Sequence, residues 1–342
     1  MRLIGVLITV LFACATAVLT FPAFFRVEQM FPVAQIVAMR GLIVVGFAAL
    51  TLLFLLFAAA KPIRGFALSM ALVSALGSLS SGVMLGARGY GEDTLPEATD
   101  TSVRVMTWNT AGEATGAYRI AQTAVAMDAD IVALPETTED GGEQVALEMR
   151  ELGRPMWVHH VAYNAADSPT PYAWETTLLI SPDLGDYSVI DSSENRSSNT
   201  TTLPSAVAMP VDGSGPVVVA VHAVAPRQAY MDSWSNDLQW IADQCASDNV
   251  ILAGDFNATL EHMSRLGVDG HDLGYCDAAA PESGNGGIGT WPTDVPSLLG
   301  APIDHVMHTD AWETTGSIVM TNLDDAGSDH RPLVVQLEPT DR

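Results

Sequence analysis

The sequence predicts an α/β domain carried behind three transmembrane helices, and three observations lead there. Charge is divided sharply: through Gly91 the only acid is Glu28 against six basic residues, a net of +5, while from residue 92 onward 39 acids face nine arginines and no lysine, a net of -30. Three long apolar runs lie in the first part, and short β-rich runs alternate with amphipathic stretches in the second. Over all 342 residues the formal net charge is -25 while 48% of residues are hydrophobic, an apolar content that excludes charge-driven disorder. The acidic part repels polyanions at long range, which argues against a processive or tightly binding nucleic-acid protein but permits a small anionic substrate held through a metal ion.

Residues 1–88 form the membrane part. Leu3 to Phe25, Gly41 to Ala60 and Gly65 to Ala87 are each long enough at helical rise to cross about 30 Å of hydrocarbon. Phe31 to Met39, ending at Arg40, is a weaker apolar run, expected at the interface or as an extension of the second helix. Phe21, Phe24, Phe25 and Phe31 fall near the headgroups. Ala13 to Ala17 offer the small residues of a signal-peptide cleavage site, but the apolar run continues past them. Gly77, Ser78, Ser81 and Gly82 let the third helix approach its neighbours closely.

With the N-terminus inside, Arg2, Lys61 and Arg64 flank the cytoplasmic side and Arg26, Arg40 and Arg88 the outer side. The charge of the amino terminus tips this tie, and an odd number of spans then places the acidic domain outside the cytoplasm, in a multi-pass protein of the cell membrane. Cys245 and Cys276 are there either a disulfide or two thiols.

Residues 89–101, GYGEDTLPEATDT, read as a linker by their Gly, Pro and acidic content, and 102–342 as the soluble domain. Val103 to Trp108 is a strand, Tyr118 to Asp128 an amphipathic helix with Ile120, Ala124 and Met127 on one side, and Asp130 to Leu134 a second strand. Further strands are expected at Thr176–Ser181, Ala206–Pro210, Val217–His222, Val250–Ala253, Ile303–Met307, Ser317–Met320 and Leu333–Leu337. A helix is expected over Tyr230–Cys245, with Trp234, Leu238 and Ile241 apolar.

Polar residues cluster where these strands end, the place at which α/β proteins build sites. Asn109 follows VRVMTW, Glu136 follows DIVALP, His222 closes VVVAV, and Asp255 with Asn257 follows VILAG; Asp304 lies in APIDHV, and Asp329-His330 precedes RPLVVQL. Each alone has an ordinary explanation as a turn, a strand-entry cap or a hydrogen-bonded structural histidine. The ordered set is far more specific. The six motifs VMTWN, ALPE, VHAVAP, GDFN, IDHV and SDHRP, running from Ser102 to about Leu337, resemble those of the endonuclease/exonuclease/phosphatase superfamily, which includes deoxyribonuclease I, abasic-site endonucleases, inositol polyphosphate phosphatases and neutral sphingomyelinases. One departure is Pro135, where a Gln that normally helps fix the neighbouring carboxylate is usual. The resemblance implies a four-layered α/β sandwich, two mixed β-sheets face to face with helices outside, whose strand-end loops meet at one cleft.

Hydrolysis of a phosphate ester needs a positioned water, a base, positive charge on the phosphoryl oxygens and help for the leaving oxygen. Glu136 with Asn109 is a hard-oxygen site suited to Mg²⁺ or Mn²⁺, and Asp329 adds a metal contact by resemblance. By the same resemblance Asp255 orients or deprotonates water, Asn257 donates to the phosphate, and His222 stabilises the pentacoordinate charge or protonates the leaving group. His330 paired with Asp304 acts as general base or as a phosphate-binding imidazolium. Arg227, after HAVAP, is a candidate phosphate contact, with a salt bridge as its ordinary alternative. Trp291, in SGNGGIGTWP, resembles a loop beside the family's cleft. His159, His160, His262 and His271 lack partners at zinc-like spacing, and Asn195-Arg196-Ser197 fits a glycosylation acceptor.

The function expected is a membrane-anchored phosphoesterase acting on a phospholipid headgroup or small phosphodiester, with the lipid bilayer as its partner. An anchored nuclease acting on DNA or RNA is the alternative, and the missing lysines weaken it. A catalytically silent binding or scaffold module would have lost motif residues, whereas all eight are in place.

Overall fold

The computed structural model describes residues 2–91, 95–163, 171–190 and 199–340; the Asn195-Arg196-Ser197 pattern lies outside the described residues. Three helices, α1 (Arg2–Thr20), α3 (Arg40–Phe57) and α4 (Arg64–Ala87), are long and apolar enough to cross a membrane, with mean hydropathies of 2.5, 2.3 and 1.7 over the spans they supply. Their small residues work inside the bundle: a Cβ on Gly77 would lie 2.6 Å from Thr16 Cγ2, and Ser78 Oγ donates to Val44 O at 2.9 Å.

Between the first two spans lies the short helix α2 (Val33–Ala38). It does not extend α3, because Met39 breaks the helical path at φ -98, ψ 66. Its Ala34 is instead fully buried in the core of the soluble domain, against a cluster that includes Val221, Trp234 and Phe256.

The soluble domain runs β1 (Val103–Thr107), α5 (Ala117–Ala126), β2 (Ile131–Pro135), α6 (Glu139–Glu151), β3 (Trp157–Ala162), β4 (Glu175–Ile180), β5 (Tyr187–Val189), β6 (Ala206–Pro210) and β7 (Val217–His222). It continues through α7 (Met231–Gln244), β8 (Val250–Asp255), α8 (Leu260–Met263), β9 (Asp277–Ala278), α9 (Ala279–Glu282), β10 (Asp304–His308), β11 (Trp312–Val319) and β12 (Leu333–Pro339). Two six-stranded sheets result, ordered β11-β12-β1-β2-β4-β3 and β5-β6-β7-β8-β10-β9. Both are mixed, since β1 runs parallel to β2 and β7 to β8 while the other pairs are antiparallel.

The uninterrupted apolar character of β2 and β7 follows from having both faces covered. Ile131 and Ala133 of β2 face Ala220, Ile251 and Val306 of the other sheet, while Val132 and Leu134 turn outward onto Ile120, Val145 and Met149 of α5 and α6. In β7, Val219 and Val221 turn to Trp234, Leu238 and Ile241 of α7. Helix, sheet, sheet and helix therefore stack as four layers. Cys245, just after α7, is disulfide-bonded to Cys276 before β9.

The described residues of the segment expected as a linker bond to the domain. Gly91 N donates to Gly284 O at 3.1 Å, and Pro96 O and Glu97 O accept from the side chains of Arg104 and Gln336.

Candidate active site

The parallel pairs β1–β2 and β7–β8 end side by side on the same edge of the sandwich, and the loops that follow them supply the site. Asn109 follows β1, Glu136 follows β2, His222 and Asp255 close β7 and β8 directly opposite one another, and Asp304 opens β10 in register with Asp255. Gly254 is required here: at φ +156 an added Cβ would meet Val221 O at 2.0 Å.

Asp255 is almost fully buried and held on every side. Its Oδ1 accepts from the Asn257 backbone N–H at 2.8 Å, and its Oδ2 from Asn109 Nδ2 at 3.0 Å and Asn257 Nδ2 at 3.1 Å. His330 Nδ1 lies 2.8 Å from Asp304 Oδ2, leaving Nε2 turned toward Asp255 at 3.9 Å. His222 Nε2 lies 3.8 Å from Glu136 Oε1. The expected residues thus converge, and Glu136, His222, Arg227, Asp255, Asn257, Trp291, Asp329 and His330 line a single cleft of about 780 Å³, within the range of small-molecule sites.

Two asparagines bond within the site. Asn109 accepts the Ala111 N–H on its Oδ1 at 2.9 Å, which leaves that oxygen a second lone pair, and turns its Nδ2 to Glu136 and Asp255, so it positions two carboxylates. Asn257 engages its amide hydrogens on Ala223 O and Asp255 rather than on the cleft. Trp291 donates its indole N–H to Asp329 Oδ2 at 2.9 Å, which ties the Gly-rich loop to the SDHRP loop. Arg227 makes no ion pair among the described residues and is exposed at the cleft, while its charge opposes the rise of the Glu136 pKa.

Pro135 leaves the turn at Glu136 to other groups. Thr110 N donates to Pro135 O, Thr110 Oγ1 donates to Glu136 O at 3.0 Å, and Thr137 Oγ1 meets Thr110 Oγ1 at 3.0 Å. Glu136 itself adopts a left-handed backbone at φ 58, a conformation that costs a non-glycine residue about 1 kcal/mol or more and recurs at functional sites.

Electrostatics separate the acids from the bases. Burial pushes Glu136 up, against the Asn109 amide and the His330 cation. Burial and then the Asp304 carboxylate raise Asp255. Burial would depress His330, but Asp304 and Asp255 prevail and lift it to about 10. Burial, with the His330 cation beside it, lowers His222 to about 3, so that imidazole is neutral at pH 7.

The donor set suits a hard divalent cation. Glu136, Asp255 and Asp329 place three carboxylates on the cleft, and Asp304, behind His330, keeps its Oδ1 buried with no hydrogen-bond partner among the described residues.

Sequence reasoning assigned no role to two residues inside SDHRP. Ser328 Oγ donates to Asn109 O at 2.6 Å and accepts from His330 N at 3.0 Å. The fully buried Arg331 pairs with Asp324 and donates to the carbonyls of Gly289, Pro292, Thr293 and Val295. It thereby shapes the loop that carries Trp291.

Comparison with known proteins agrees with this fold. No curated protein matches the sequence. Among solved structures, an endonuclease/exonuclease/phosphatase from Beutenbergia cavernae is similar at 20% identity and a TM-score of 0.53, covering 70% of this chain and 72% of its own. A family protein from Leptotrichia buccalis is similar at 14% identity and a TM-score of 0.53, covering 69% and 99%. TDP2 from D. rerio, complexed with a single strand DNA product, is similar at 14% identity and a TM-score of 0.51, covering 70% and 100%. At such identities the likeness is one of fold. The model of the Endonuclease/Exonuclease/phosphatase family, however, matches residues 106–330, from the first strand of the sandwich to the histidine before its last. This chain is a member of the endonuclease/exonuclease/phosphatase family.

Proposed function

We propose that the protein is a membrane-anchored, divalent-metal-dependent phosphoesterase that hydrolyses a phosphodiester or phosphomonoester by attack of water. The observation that carries this reading is the convergence of Asp255, the His330–Asp304 pair, His222 and Glu136 on one cleft. Glu136, with Asp329, would hold Mg²⁺ or Mn²⁺, and the bound ion supplies positive charge to the phosphoryl oxygens in an otherwise anionic domain. Asp255 is the base: its buried carboxylate is oriented by Asn109 and Asn257, and its raised proton affinity suits it to take a proton from water near neutral pH. His330 stays protonated beside Asp304 and presents Nε2–H to a phosphoryl or leaving oxygen. His222 is neutral, which selects hydrogen-bond stabilisation of the pentacoordinate charge over proton donation. Arg227 offers its guanidinium to the phosphate.

The three apolar helices support a membrane anchor, and the bonded Cys245–Cys276 pair supports an oxidising, extracytoplasmic side for the domain. A nuclease reading has one favourable observation, the neighbour solved with a single strand DNA product. Against it stands a domain with a net charge of -30 and no lysine to track a phosphate backbone. The test is turnover by the full-length protein of an activated phosphodiester, plasmid DNA, sphingomyelin and an inositol phosphate with Mg²⁺, Mn²⁺ or chelator. Chelator-sensitive turnover of a small or lipid ester is expected; preference for DNA would favour the nuclease, and absence of metal binding by calorimetry would favour a silent module.

A further inference from the structure

The cleft is not built by the soluble domain alone. Gln35, Ala38 and Met39 line it together with His222, Arg227 and Asp255. Met39 directly precedes Arg40, the first residue of the second apolar span. In the membrane-anchored reading proposed above, the end of a span lies at the membrane surface, which puts this wall of the cleft at the level of the lipid headgroups.

The wall is fastened to the catalytic core. Ala34 is packed among core side chains and its carbonyl accepts from His262 Nε2 at 3.0 Å; Gln35 Nε2 donates to Pro226 O, and Gln29 Nε2 donates to His262 O at 2.8 Å. Arg40, at the start of α3, and Arg88, just after α4, converge on one oxygen of Glu261, each at 2.8 Å. Burial would raise Glu261, but the two guanidiniums and the Thr259 hydroxyl outweigh it and hold the carboxyl at about 2. Glu261 and His262 follow the GDFN turn closely, so the ends of the spans are clamped beside the catalytic carboxylate. A domain that needed only to stay near a membrane would require no more than a flexible linker. Phe24 and Phe31, 82% and 47% exposed, flank the same region, as aromatic side chains do in a headgroup layer.

We propose that the substrate is a bilayer-resident phosphate ester, whose headgroup enters the cleft across the wall formed by Gln35, Ala38 and Met39 while its apolar chains stay in the membrane. This substrate class rests on the phosphoesterase reading above. A lipid confined to the same surface reaches the cleft without a basic track, which fits a domain whose charge repels soluble polyanions.

The test uses the full-length protein in phosphatidylcholine nanodiscs doped with phosphatidic acid or phosphatidylglycerol, assayed beside the glycerophosphate headgroups of those lipids in water and bis(p-nitrophenyl) phosphate. The kcat/KM for one of the bilayer lipids is expected to exceed that for its free headgroup by about tenfold or more. Ala38→Trp, which narrows the membrane-side mouth, and Met39→Glu, which places an anion there, should each lower that ratio by about fivefold or more. A free headgroup turned over as fast as its lipid, or a ratio unmoved by both variants, would overturn the inference. So would hydrolysis of the activated soluble ester with neither lipid cleaved, an outcome that leaves the phosphoesterase reading standing. Failure of every substrate, the activated ester included, would overturn both.

Discussion

His330 shows how a single side chain can be given a charge the free residue would not keep. Two carboxylates, Asp304 at 2.8 Å and Asp255 at 3.9 Å, hold its proton against the effect of burial. In an unfolded chain the imidazole titrates near 6.5 and in this fold near 10, so its contribution to stability is complete below about pH 6.5 and is lost as pH rises toward 10. Thermal melts of the metal-free protein should therefore fall across that window, and His330→Gln should flatten the fall; equal slopes in the two proteins would refute the pairing. The eight motif residues were legible in the sequence because each stands at or near one end of a strand whose apolar run is unmistakable. Their partners were not legible. Nothing in the residue types tells that Asn109 turns its nitrogen rather than its oxygen to Glu136, or that Asn257 engages Ala223 O, because both depend on which backbone groups the fold brings near.

At the scale of elements, two ties hold the site in place. The Cys245–Cys276 bond closes a loop with a sequence separation of 31, and the chain-entropy estimate for such a loop is about 3–4 kcal/mol. Cys245→Ser should lower unfolding stability by about that amount in a denaturant titration. The second tie is Arg40–Glu261–Arg88, with side-chain exposures of 4%, 6% and 20%. Removing the shared anion leaves buried cationic charge unpaired, so Glu261→Ala should cost about 3–5 kcal/mol. It should also open the seam between α2 and α8 to limited proteolysis, whereas unchanged cleavage kinetics would show that the clamp carries no weight. Most strands were readable from their period, yet α6, β3, β5 and β9 were not. Helix α6 carries Gly141-Gly142 and five acids in a largely polar run, β3 is a half-exposed edge strand, and β5 and β9 have only three and two residues. The docking of α2 left no local signal, since Ala34 and Val37 read equally well as membrane-facing residues.

On the scale of the whole molecule, charge and hydropathy made the three apolar helices and the α/β fold of the acidic part legible, because both properties are sums over many residues. They gave no hint that the two parts share a cleft, which depends on a few long-range contacts such as Ala34 O to His262 Nε2. If the domain faces away from the cytoplasm, protease added to intact cells should digest it and leave the three spans protected; an untouched domain would reverse the topology. The most direct measurement is hydrolysis of bis(p-nitrophenyl) phosphate by the full-length protein and its Asp255→Asn variant, with Mg²⁺ and with chelator. The arrangement around Asp255 predicts turnover that needs the metal and falls by about 10²–10⁴ in the variant with the fold intact. Turnover that survives both the substitution and the chelator would contradict it.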